Sequence, residues 1–431
     1  MRRLGRLKIT LILAAPAAII LLWLYFRPAS LFQVAREEIP SAPVADQAIE
    51  RFLATYWRKP IPPQGKPPAE FSPIEASLEP EACGSCHQQQ YQDWKQSLHS
   101  RAMGPGPWGQ IVDLFEISPQ DAVPCMTCHA PLTEQLRFLA QTTGSGKKEN
   151  PHFIPSLELR GITCAACHVR NHARYGPPET NGAAKRYPAD MARHGGVERT
   201  PYFERAEFCR DCHQFDPANT VLVNGKPLQD TYREWQTSSW GKAGAACQEC
   251  HMPSRRHLWK GIHDRDWVRD GVRFETRLEP TEKGSRAPVK LFVELHNSAV
   301  GHKFPTYITP KVFVRAALLN DNDAKLPGTE QERVVGWDVR FEGGNWVEYF
   351  DTRVAAGDKF QGVFSWSRSR AAKKLRVWIE VHPDHFYHVH FYPAYLRDQN
   401  PTPAARELIG QAIAATGQSR YVLFDKTLVL D

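Results

Sequence analysis

The sequence predicts an α+β protein in two main parts. A mostly helical and loop-rich part is organised around repeated cysteine motifs, and a β-rich, sandwich-like part follows it, with a transmembrane anchor at the N-terminus. Three observations carry this. All ten cysteines of the 431 residues lie between Cys83 and Cys250. Beyond about Trp267, short runs rich in Val, Phe, Ile and Trp alternate with Gly and Pro clusters. The first thirty residues hold a basic tail and then an uncharged stretch.

Taken in order, residues 1–30 read as a signal anchor. Arg2, Arg3, Arg6 and Lys8 precede an apolar run from Ile9 to Phe26, at the lower limit for a spanning helix and longer than the usual signal-peptide core. No Ala-x-Ala site follows closely, which favours an uncleaved anchor over a cleaved signal peptide. The basic flank leaves the tail in the cytoplasm and sends the rest across the inner membrane to the periplasm. Residues 31–80 form a proline-rich linker, with Lys59-Pro60-Ile61-Pro62-Pro63 and Lys66-Pro67-Pro68 at its centre. Such a stretch acts as a semi-rigid spacer or packs along a surface.

Residues 81–266 hold the motifs among short helices, with helical patterning also from Pro131 to Ala140. Residues 267–431 are the β-rich part, with strands expected at Val289–Leu295, Val312–Leu319, Val334–Phe341 and Leu375–Val381 and a helix from Ala404 to Ala415.

Every cysteine belongs to one of five copies of Cys-x-x-Cys-His: Cys83, Cys86 and His87; Cys125, Cys128 and His129; Cys164, Cys167 and His168; Cys209, Cys212 and His213; Cys247, Cys250 and His251. The two thiols have the spacing to add across the vinyl groups of one haem, and the histidine is placed to bind its iron. Zinc ribbons would need the cysteine pairs to combine two by two, and five is odd. A disulfide framework leaves the five histidines without a purpose. The motifs begin 42, 39, 45 and 38 residues apart, segments too short to bury much core, so porphyrin must supply much of the interior. The reading is five covalently bound haem c groups.

Five of the 17 histidines serve as proximal ligands, which leaves His99, His152, His172, His194, His257, His263, His296 and His302 near the haem part for the opposite faces. Met103, Met126 and Met252 offer thioether sulfur. Met252 follows a proximal histidine and is poorly placed for that same haem. An internal echo aligns Tyr91-x-x-Trp94-x-x-Ser97-x-His99 with Tyr232-x-x-Trp235-x-x-Ser238-x-Trp240, so Trp240 stands where His99 stands. A separate cluster, His382, His385, His388 and His390, places His388 and His390 on one face if the segment is a strand, a spacing compatible with copper or zinc. With no carboxylate or thiolate set to complete it, a histidine-rich surface is the favoured reading.

The stretch from Cys83 to Met103 resembles the opening of the cytochrome c554-like multihaem family, whose first motif is followed by Tyr, Trp, Ser and an axial His at this spacing. The segment from Thr231 to Pro253, Gly261-Ile-His263-Asp264, and Asn297-x-x-x-Gly301-His302-Lys-Phe-Pro305-Thr306 resemble further segments of related cytochromes. The resemblance implies that His99, His263 and His302 complete iron coordination, with His257, His172 and His194 next. Trp240 departs from the pattern.

The formal charge of +7 invites a nucleic-acid partner. Four of those charges lie in the tail, and the propionates of five haems outweigh the rest, so nucleic acid is excluded. The expected function is that of a membrane-anchored, exported pentahaem cytochrome relaying electrons between a membrane donor, such as a quinol-oxidising complex, and periplasmic or outer-surface redox partners. The alternatives are a reductase of a small nitrogen or sulfur compound at one open haem, with Lys303, Arg255 or Arg256 recruited to it, and a structural subunit of a larger redox complex.

Overall fold

A computed structural model describes residues 47–140, 147–179, 193–280 and 287–430. The apolar run from Ile9 to Phe26 lies outside the described residues. Among them no helix is long and apolar enough to cross a membrane. Residues 52–431 form one compact unit.

The proline-rich stretch does not stand clear as a spacer. The Ile61 amide donates to the Pro131 carbonyl at 2.8 Å, and the Ile61 carbonyl accepts from the Thr133 amide at 3.1 Å. These bonds lay Ile61 beside Leu132 with both side chains fully buried. The helix expected over Pro131–Ala140 is absent. A single turn, Thr133–Gln135, and a two-residue strand, Phe138–Leu139, take its place. Polar side chains hold this backbone extended: Asn150 donates to the Thr133 and Leu136 carbonyls, and the Gln135 amide donates to those of Leu157 and Gly161.

The helices around the motifs are short. Helix α1 (Gln88–Gln96) follows the first motif. Helices α2 (Pro105–Ile117) and α3 (Pro119–His129) each begin on a proline, where the missing N–H costs nothing and φ is preset. The second motif ends α3. Helix α4 (Thr231–Thr237) precedes the fifth motif. Helix α5 (Pro403–Gln418) is capped by Thr402, whose hydroxyl accepts from the Ala405 amide. Thr402 also donates to Asp113 of α2, and Gly109 lets α2 and α5 approach, since a Cβ there would lie 2.9 Å from Ile409 Cδ1.

The C-terminal part is a sandwich of eight antiparallel strands: β1 (Val272–Leu278), β2 (Val289–Asn297), β3 (Lys311–Leu319), β4 (Gln331–Glu342), β5 (Asn345–Asp351), β6 (Lys359–Trp366), β7 (Lys374–His382) and β8 (Tyr421–Val429). One sheet runs β5-β4-β3-β7-β8 and the other β6-β2-β1. Strand β2 alternates buried and half-buried residues, as a two-faced strand must. Its Leu291, Val293 and Leu295 face Val312, Val314, Val377 and Ile379 of the larger sheet across one apolar core. The boundary read at 267 falls inside a short helix, Arg265–Gly271, that leads into β1.

Candidate functional site

In a helical turn, residues i and i+3 share a face, so Cys-x-x-Cys directs both sulfurs to one side and the next residue follows beside the first. The five motifs use this local geometry on short helices or helix ends. Thr163, for instance, caps the third by accepting from the Ala166 amide. All five line a single continuous cavity of about 4440 Å³. A pocket for one cofactor-sized ligand occupies roughly 300–1,000 Å³, so the space suits several such groups side by side. The sequence expectation of an interior left for porphyrin fits this cavity.

The ring nitrogens are ordered for metal binding. His129 Nδ1 lies 2.7 Å from the Ala102 carbonyl, His168 Nδ1 2.8 Å from that of Tyr175, and His251 Nδ1 2.6 Å from that of Lys260. A carbonyl at Nδ1 fixes the proton there and frees Nε2 as a ligand. His213 differs, with Nδ1 3.3 Å from the Tyr307 hydroxyl. Burial drives the basicity of these rings down: His168 and His213 fall to about 4 and His99 to about 3, with neighbouring imidazoles adding to the effect. They are neutral at neutral pH, the form that binds iron.

Two imidazoles bound trans to one metal through bonds of about 2.0–2.1 Å hold their ring centres about 6.3 Å apart. His168 and His257 are 6.1 Å apart, His213 and His99 6.2 Å, and His251 and His302 6.4 Å. Their ring planes cross at 38°, 64° and 9° respectively. Burial lowers the basicity of His87, and the neighbouring His194 adds to the effect. The described residues include all 17 histidines, and among them neither His87 nor His129 makes such a ring pair; the histidine nearest His129 by its charge is His213, itself a motif histidine.

Of two further expected ligands, His263 lines the main cavity and His172 does not. His172 is outside the main cavity, with Nε2 3.2 Å from the Gly65 carbonyl, and His263 commits Nε2 to Asp384 at 3.0 Å. His152 shares the small pocket with His172, and His296 sits on β2 beside Glu294. Met103 and Met126 are buried in an apolar cluster, while Met252 lines the cavity. Lys303, Arg255 and Arg256 are engaged by Asp351, Glu204 and Asp93. His388 and His390 do not share a strand face, because Phe386–Phe391 is a wide helical turn. His296 does join Glu275 and Glu294 in a group of metal-capable donors, but Lys359 and Arg273 already pair with its carboxylates.

The motifs also touch one another. The thiols of Cys83 and Cys164 lie close enough to act on each other's charge, as do those of Cys128 and Cys212, and of Cys209 and Cys247. Cys167 is near enough to Cys209 and Cys212 to act on their charge. The fourth motif therefore adjoins the second, third and fifth.

The sandwich completes the cavity with His302, Tyr307, Asp384 and Tyr387 among its lining residues. Tyr387, on the wide turn, feels the Cys125 thiol and Asp384, which together with burial hold its hydroxyl protonated. Asp384 is kept ionised by His263 despite its burial. Sequence reading missed Tyr307, Tyr387, Asp384 and Trp259. Tyrosine and tryptophan carry no spacing signature, and only Asp384 and Tyr387 lay within a segment already singled out, the histidine-rich run.

Residues 69–266 match the model of the family described as Cytochrome c552, which supports a multihaem cytochrome and does not bear out the c554-like label of the motif resemblance. Among curated proteins, the chain is 30% identical over 199 residues to the cytochrome c nitrite reductase subunit NrfA of Nitratidesulfovibrio vulgaris, covering 41% of this chain and 35% of that protein. It is 27% identical over 135 residues to cytochrome c-552 of Aliarcobacter butzleri, covering 30% and 26%. The matched stretches thus span about a third and a quarter of these relatives. Among solved structures, a penta-heme cytochrome c552 from Thermochromatium tepidum superposes with a TM-score of 0.58 at 14% identity, over 83% of this chain and all of that one. That likeness is one of fold.

Proposed function

We propose that this protein is a multihaem c-type cytochrome: His87, His168, His213 and His251, each with a second histidine, would hold four haems suited to passing electrons, and Cys125, Cys128 and His129 would hold a fifth that would supply reduction of a small molecule. The observation that carries the reading is the imidazole census: among the described residues three motif histidines face a second ring, His87 has the non-motif His194 beside it, and His129 has only His213, itself a motif histidine. Bound haem supplies one-electron transfer at an iron ligated on both faces, and ligand reduction where one face is open. The paired histidines would fix each group and would deny the other four irons to small ligands. Near the second motif, Tyr387 holds a proton on its hydroxyl and Asp384 a carboxylate oriented by His263, the acid and base that reduction of an oxygen- or nitrogen-containing substrate requires.

The likeness to a nitrite reductase subunit supports nitrite as the first substrate to try. The basic and apolar N-terminal sequence supports export and a membrane tether, with electrons arriving from a membrane donor such as a quinol-oxidising complex. The deciding experiment is electron paramagnetic resonance of the oxidised holoprotein. Four low-spin centres and one high-spin centre that shifts on adding nitrite are the expected result. Five low-spin centres indifferent to added ligand would leave a pure electron carrier and end the reductase reading.

A further inference from the structure

The place between His213 and His99 differs from its neighbours in the hydrogen bonding of its two rings, and a cation and an indole lie beside it. The first feature is hydrogen bonding. Each of the other three histidine pairs has at least one Nδ1 at a main-chain carbonyl: His168 and His257 both do, His251 and His302 both do, and His194 meets Gly196 at 3.1 Å. His99 Nδ1 is buried with no partner, and His213 has only the Tyr307 hydroxyl at 3.3 Å. A carbonyl at Nδ1 makes imidazole a stronger donor and stabilises the ferric state, so its lack favours the ferrous state.

The second is charge, which the third motif shares through Arg170 at the Ala166 carbonyl, 3.0 Å. Lys59 donates to the carbonyl of Asp211, inside the fourth motif, and its Nζ lies 3.6 Å from Cys128 Sγ. A fixed cation stabilises the form that has gained an electron. The third is packing. The Trp259 ring stands nearly edge-on to His99, 4.5 Å away at 76°, and to His257, 5.1 Å away at 88°. Its backbone has φ +41°, an outlier for so bulky a residue. With no hydrogen bond to orient it, His99 takes its ring plane from this contact.

We infer that the haem held between His213 and His99 is the most easily reduced of the bis-imidazole set, with Lys59 as the charge that makes it so and Trp259 as the positioning residue that sets its ligand plane. Its motif adjoins three others, so an electron entering anywhere in the set collects there before moving on. This rests on the paired histidines being axial ligands, as proposed above.

The test is a redox titration of the holoprotein followed by electron paramagnetic resonance. The 64° crossing gives this ferric centre a large-g line, separable from that of the near-parallel pair at 9°. That line is expected to vanish first as the potential is lowered. Lys59→Gln should reduce the electron occupancy of this centre about tenfold, a fall of about 59 mV for a one-electron couple. Trp259→Leu should move its g value. The inference is overturned if the large-g line is absent, vanishes with or after the other low-spin lines, or keeps its midpoint in Lys59→Gln. A spectrum with no low-spin line at all would instead sink the axial pairing on which it stands.

Discussion

His99 and Trp240 occupy equivalent places in two copies of one local structure. Trp94 donates from its indole to the Ile162 carbonyl and Trp235 to that of Ala245, while Ser97 and Ser238 each return a hydroxyl to the preceding tryptophan's carbonyl at 2.7 Å. The echo in the sequence is therefore an echo in three dimensions, and the two copies diverge at their last residue. His99 turns inward to His213, whereas Trp240 stays 38% exposed. His99→Ala should convert one low-spin haem to high-spin, and Trp240→Phe should leave every spin state unchanged and cost about 1 kcal/mol or less in chemical denaturation. His263→Ala should also spare the low-spin signals, because its Nε2 is spent on Asp384. Gly161 governs His99 from behind: it has φ +66°, and a Cβ there would fall 2.4 Å from the His99 carbonyl oxygen. Gly161→Ala is expected to cost about 1–3 kcal/mol, read by denaturant unfolding, and to broaden the His99 haem signal.

The four strands legible in the sequence, β2, β3, β4 and β7, are the four interior strands of the two sheets, and the four missed, β1, β5, β6 and β8, are the four edges. The reason is physical. Interior strands are covered on both sides by neighbours and read as apolar runs, whereas edges carry charges that discourage pairing with other chains. Val272–Leu278 interleaves Arg273, Glu275 and Arg277 with its apolar residues, which hides it among loops. The motif histidines were legible for a different reason, being tied to cysteines at fixed spacing. The facing histidines were only half so, since which ring meets which depends on loops folding back over about 50 to 115 residues. On β3, Lys311 is buried with Nζ 2.8 Å from the Trp337 carbonyl. Burial, opposed by Asp338 but aided by Arg353 and Arg340, lowers it from 10.5 to about 8. Between those two values the unfolded chain binds the extra proton, so this lysine makes stability rise with pH from about 8 toward 10.5. Lys311→Met should remove that rise, measured as the difference between the two proteins' denaturation midpoints across the window.

The two parts of the chain depend on cofactor unequally. The sandwich has its own continuous core of aliphatic side chains, while the motif part surrounds a cavity of about 4440 Å³ that protein alone does not fill. Produced without haem attachment, the chain should be cut by limited proteolysis between residues 80 and 266 and spared over 272–430. The matured protein should resist throughout, and its denatured mass should exceed the polypeptide by five haems. The meeting of thiols from different motifs has a bearing on assembly. In an oxidising compartment, a chain that folds before its haems arrive brings Cys83 to Cys164 and Cys209 to Cys247 as close neighbours, the arrangement from which a mispaired crosslink forms. Each such crosslink would consume one sulfur from two attachment sites at once and lock both haems out. Maturation must therefore keep these thiols reduced and load the motifs before the folds close, so that each ring, once attached, serves as the spacer that keeps its neighbour's sulfur from reacting.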